Sequence, residues 1–198
     1  MLWACVLLPQ LALDGVLRRH PQPDQALALV TGPAQKRVLA AVNCAAARAG
    51  LHAGQALAAA HALLPQFATV EYDAAEVARW RDFLAAWAYR YSSQVGAVAF
   101  NGMAEDAIVL EIGASLRLFG PWPRFDRQLR EDLTALGFTH CIAVAPNDEM
   151  TTAPIITMMT KITLSRLIET LGYISECQTW HGRALNCYSK CGRGKPPP

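Results

Sequence analysis

Val95-Gly96-Ala97-Val98-Ala99-Phe100, then Asn101-Gly102, then Ala107-Ile108-Val109-Leu110-Glu111-Ile112: two apolar runs around an Asn-Gly pair predict a β-hairpin. The residues on either side decide the fold. Before the hairpin, Asp73 and Glu76 have the spacing of a helix-starting box, and Val77, Trp80, Leu84, Trp87 and Tyr91 recur on one helical face. That aromatic stripe reads as core, not as a platform for stacking bases. After the hairpin, Trp122, Phe125, Leu129, Leu133 and Leu136 form a second one-faced helix, which stops at Gly137. Phe138 to Ala145 then reads as a strand.

Further outward, Leu2 to Leu8 is a continuous apolar run closed by Pro9, which suits a central strand. Leu13, Val16 and Leu17 follow on a helical face. Ala26 to Val30 and Arg37 to Val42 predict two short strands joined at Gly32-Pro33. Two alanine-rich helical pieces, Cys44 to Ala49 and Gln55 to Leu64, are split by Gly50 and Gly54. A strand and helix, later followed by helix, hairpin, helix and strand, make the βαββαβ order of a ferredoxin-like α/β (α+β) domain. Residues 1–150 read as that domain with a small insertion, and 151–198 as an unrelated tail. In the tail alanine nearly vanishes, and apolar residues at Ile155, Met158, Met159 and Ile162 face away from Leu164, Leu167, Ile168 and Leu171. The last residues, from Gly192, are expected to be disordered.

Composition narrows the function. An apolar fraction of 53% supports a buried core, and no run reaches the length of a membrane helix. The apolar start lacks a basic flank and a cleavage site, so a first strand in a cytoplasmic protein explains it better than export. The formal net charge of +2 is acidic before Met150 and basic after it, which implies weak or no autonomous DNA binding. Cys5, Cys44 and Cys141 lie in apolar contexts and read as small buried hydrophobes. Cys177, His181, Cys187 and Cys191 lack the paired spacing of a zinc knuckle, so no metal or other cofactor is expected.

Four segments in order resemble Y-family translesion polymerases of the UmuC/DinB superfamily, and within them the ImuB-like branch. They are Leu2-Trp3-Ala4-Cys5-Val6-Leu7-Leu8-Pro9-Gln10-Leu11; Ala41-Val42-Asn43-Cys44-Ala45-Ala46-Ala47 with Gly50-Leu51-His52-Ala53-Gly54-Gln55-Ala56-Leu57; Leu110-Glu111-Ile112-Gly113-Ala114-Ser115 with Leu118-Phe119-Gly120; and Leu136-Gly137-Phe138 with Ala143-Val144-Ala145-Pro146-Asn147. The resemblance implies the palm of such a polymerase with part of its fingers, and an incomplete protein. In active members an Asp on the first strand and an Asp-Glu pair on the hairpin hold two Mg²⁺ ions about 3.5–4 Å apart. By the resemblance those positions are Cys5, Asp106 and Ala107, and one carboxylate of three remains. A neutral thiol is a poor ligand for Mg²⁺. The positions that contact the nucleotide triphosphate fall on Cys44, Ala47 and Thr152, with Arg48 a remnant one place along.

The resemblance with these departures implies a protein that is not an enzyme. Its expected role is a scaffold in DNA repair and SOS-induced translesion synthesis, as part of a bacterial mutasome. Its implied partners are an error-prone replicative-type DNA polymerase, a RecA-like accessory protein and the sliding clamp, with no membrane. The alternatives are a truncated fragment without activity of its own and an active error-prone translesion polymerase.

Overall fold

The apolar run Leu2–Leu8 becomes the centre of a sheet because neither of its faces carries a polar group that would need water. In the computed structural model, which describes residues 1–99 and 106–146, this run is strand β1, and Trp3 to Leu8 are all buried. The elements that follow are α1 (Leu11–Leu17), β2 (Leu27–Thr31), β3 (Val38–Val42), α2 (Cys44–Arg48), α3 (Leu57–Leu63) and β4 (Ala68–Glu71). Then come α4 (Ala74–Ala88), β5 (Val95–Ala99), β6 (Asp106–Glu111), α5 (Leu116–Phe119), α6 (Trp122–Leu136) and β7 (Cys141–Pro146). The hairpin tip, Thr152, the tail and the four possible zinc ligands near the C-terminus lie outside the described residues.

The described residues divide into two units. The first comprises Met1–Pro9, Leu84–Asp132 and residues 140–146. Its four strands run in the order β5-β6-β1-β7, every neighbouring pair antiparallel. Numbering these four strands alone gives the order 2-3-1-4, which is the ferredoxin-like arrangement expected from βαββαβ. The helix stripes also lie where periodicity placed them. Val77, Leu84, Trp87 and Tyr91 are buried, as are Phe125, Leu129 and Leu133.

In this unit the ring of Tyr91 lies 5.2 Å from Trp87, 5.6 Å from Phe119 and 5.7 Å from Phe125, and Phe119 and Phe125 are 5.5 Å apart. Tilted and edge-on pairs of this kind each add about 0.5–1.5 kcal/mol beyond their burial. The Tyr91 hydroxyl donates a hydrogen bond to Asp132. Burial and this bond both hold the phenol protonated, well above its ordinary range.

The second unit comprises Gln10–Phe83 and Leu133–Thr139. Here β2 is central, antiparallel to β3 and parallel to β4. Two buried polar side chains hold the loops. Asn43 caps α2 by accepting from the Ala46 amide at 2.9 Å and accepts from the Leu27 amide at 3.0 Å. Its own amide group donates to the carbonyls of Gln25 at 2.6 Å and Pro23 at 3.2 Å. Asp14 accepts from the Thr139 amide at 2.6 Å and from its hydroxyl at 3.3 Å.

Gly15 is forced by Trp80, whose indole occupies the place a Cβ would take. The Arg18 guanidinium lies over the rings of Trp80 and Phe138, and that of Arg19 over Trp80.

Candidate functional site

The carboxylate that carries the polymerase-like reading is Asp106, the first residue of β6, and the register of β1 against β6 fixes its neighbours. Leu8 lies directly across from Asp106, Leu7 across from Ala107, and Cys5 across from Val109. Residues opposite one another in an antiparallel pair project from the same face. Leu8 and Asp106 therefore share one face. Cys5, Leu7, Ala107 and Val109 share the other, where they pack with Trp3 into one apolar cluster.

This corrects the assignment of Cys5 to the first-strand carboxylate position. Cys5 is three residues from Leu8, about 10 Å along the strand, and on the opposite face. No side chain at position 5 could share a metal with Asp106. The β1 neighbour of Asp106 is Leu8, which is 1% exposed. Sequence reasoning missed it because aligning an apolar run by its letters gives no register. Hydrogen bonding to the partner strand does.

Cys5 behaves as the small buried hydrophobe its surroundings suggest. It is a free thiol, 1% exposed, and burial pushes it up to about 11. Cys141 is half-buried against the same cluster. Cys44 departs from the expectation of burial and is exposed at the start of α2.

The second group of positions lies together on α2. Asn43 fixes the start of this helix, so Cys44, Ala47 and Arg48 follow at defined places within one short turn, all three exposed. The Arg48 side chain donates from Nε to the Cys44 carbonyl at 3.2 Å and so lies back along its own helix. The cap that orders this segment, Asn43, is the functional-looking residue that a search for charged groups overlooks. An Asn before an alanine-rich run is the signal that could have found it.

Chemically, a pair of Mg²⁺ ions asks for several hard oxygen donors around one point. At the start of β6, Asp106 supplies a carboxylate, while the side chains of Leu8 and Ala107 beside it present only hydrocarbon. Glu105, next to Asp106 in sequence, lies outside the described residues. Among the described residues no three His, Cys, Asp or Glu side chains gather into a group that could hold a metal ion. Among the described residues, no helix is long and apolar enough to cross a membrane.

Comparison with known proteins supplies the family. A model of the impB/mucB/samB family matches residues 13–153. Among curated proteins nothing matches the chain. Solved structures share its fold. DinB from Sulfolobus solfataricus superposes with a TM-score of 0.57 at 16% identity, over 75% of this chain and 43% of that one. The post-insertion binary complex of Dbh DNA polymerase gives 0.59 at 15% identity, again over 75% and 43%. A DinB family error prone DNA polymerase from Sulfolobus solfataricus gives 0.54 at 16% identity, over 74% and 41%. The chain thus spans less than half the length of these structures. The family match and these polymerases overturn the expectation that the chain is not an enzyme, because Y-family DNA polymerases are enzymes. With its strand order, its hairpin carboxylate and the family match over most of its length, the chain belongs to the impB/mucB/samB family, the UmuC/DinB group of Y-family DNA polymerases.

Proposed function

We propose that this protein acts in translesion DNA synthesis during the bacterial SOS response to DNA damage, in the cytoplasm, as an ImuB-like scaffold. It would hold an error-prone replicative-type DNA polymerase, a RecA-like accessory protein and the sliding clamp, the polymerase fold serving as a frame for protein contacts. The observation that carries this reading is the register that sets Leu8 beside Asp106. An apolar neighbour at that position suits contact better than it suits holding a charged metal cluster. A formal net charge of +2 also supports modest DNA affinity, with recruitment through proteins.

The test is co-purification of the tagged full protein with these three partners, alongside primer extension by the protein alone. Retention of the clamp and the partner polymerase is the expected result. Failure to retain any of the three would overturn the scaffold reading. So would partner-independent primer extension that Asp106→Ala abolishes, which would assign synthesis to this chain itself.

A further inference from the structure

After β6 the chain makes a single helical turn, α5, and one of its side chains stands almost wholly in solvent. Leu118 is 86% exposed, the most exposed large hydrophobic among the described residues, while the residue beside it is locked in place. Phe119 packs against the rings of Tyr91 and Phe125. Gly120 then takes a φ of +92°, a conformation that L side chains rarely adopt. Leu118 is therefore held outward by an ordered base, and does not sit on a loose loop. Exposing a leucine in this way forfeits the stabilisation that its burial would supply.

Three arginines flank it along the chain. Arg117 precedes it on the same turn, the Arg124 side chain lies 3.3 Å from the place of a Gly120 Cβ, and Arg127 follows one helical turn later. All three are exposed and none makes an ion pair among the described residues, whereas Arg130 on the same helix is bound to Asp126 at 2.9 Å. Arg124 also falls in the first turn of α6, where the helix dipole disfavours cations. Three positive groups without an ion-pair partner among the described residues, close in the chain to one bare apolar side chain, call for a counterpart that is negative and apolar together. Phosphate backbone supplies only the charge.

We propose that the turn Arg117–Gly120, with Arg124 and Arg127, is a docking surface for an acidic segment of a partner protein, a segment that carries its own apolar side chains. Leu118 is the anchor, buried on binding. The arginines steer the approach and set its register. This inference goes beyond the translesion reading and does not depend on it.

The probe is a fluorescein-labelled synthetic peptide alternating Glu and Asp with Leu and Phe, titrated with the full protein and read by anisotropy. A peptide with Gln and Asn in place of the acids and a duplex DNA of random sequence serve as comparisons. Wild type should bind the acidic peptide at least tenfold more tightly than the neutral one. Leu118→Ser should weaken acidic-peptide binding about tenfold and leave DNA binding unchanged. The triple change Arg117→Ser, Arg124→Ser, Arg127→Ser should remove most of its salt dependence. These side chains are exposed, so unchanged thermal unfolding of the variants is expected and is checked first. Equal binding of acidic and neutral peptides overturns the proposal, as does an unaffected Leu118→Ser. DNA binding that falls with acidic-peptide binding in the arginine variant, with Leu118→Ser silent, would assign the surface to nucleic acid instead.

Discussion

Replacing Asn43 with alanine should cost the protein about 3–5 kcal/mol. The figure follows from what one buried side chain does. Losing the cap on the Ala46 amide costs about 1 kcal/mol. The Leu27 amide, the first of the central strand β2, loses an acceptor where no water reaches it, at about 1–3 kcal/mol. The Gln25 and Pro23 carbonyls belong to exposed residues and can turn partly to solvent, adding about 0.5 kcal/mol each. Against a typical domain stability of about 5–15 kcal/mol this is a large fraction. Asn43→Asp separates the contributions, because it keeps both accepted bonds but sets a carboxylate against two carbonyls. It should fall between wild type and alanine, at about 1–2 kcal/mol. Urea unfolding of the full chain, followed by far-ultraviolet circular dichroism, measures both. A loss under about 1 kcal/mol for Asn43→Ala, or Asn43→Asp no better than alanine, would refute the view that this side chain ties the strand, the cap and the loop together.

Three further outcomes are expected. Leu8→Asp should destabilise the protein but regain thermal stability in millimolar Mg²⁺, since position 8 faces Asp106; Cys5→Asp should destabilise it with no regain, and the reverse pattern would mean the register is wrong. The Cys5 thiol is raised from 9.0 to about 11, so the folded state disfavours the thiolate that the unfolded chain forms. Its contribution to stability is complete below about pH 9 and is lost as pH rises towards 11. Urea midpoints should therefore fall across that window, less steeply in Cys5→Ala, and equal slopes would contradict the assignment. Gly15→Ala drives a methyl into the Trp80 indole and should cost about 1–3 kcal/mol; a melting temperature within a degree of wild type would show that the ring moves aside freely.

Most of the four-stranded unit was legible because its elements announce themselves locally. The α6 stripe from Trp122 to Leu136 has a single apolar face, and β1 is apolar on both, so period and length sufficed. What escaped was set at a distance. The strand Ala68–Glu71 is short and exists through parallel pairing with β2, which no pattern within four residues encodes. The last strand begins at Cys141 and not at Phe138, because Phe138 is used against Trp80 and Thr139 against Asp14. The site was legible as a set of residue types and illegible as a geometry. That Asp106 keeps a carboxylate could be read directly, while its neighbour Leu8 follows only from the ladder of hydrogen bonds.

The position of β1 in the sheet has a consequence for synthesis. This strand is made before the other described elements, yet both its partners, β6 and β7, are among the last of them to leave the ribosome. Until then Leu2–Leu8 is an unpaired apolar segment with both edges open, the kind of segment that chaperones bind and that aggregates when left alone. The Asp14–Thr139 bond, joining residues 125 apart in sequence, makes the second unit wait as well. The nascent chain is thus committed to late closure, and its yield in the cell depends as much on protection during elongation as on the stability of the finished fold.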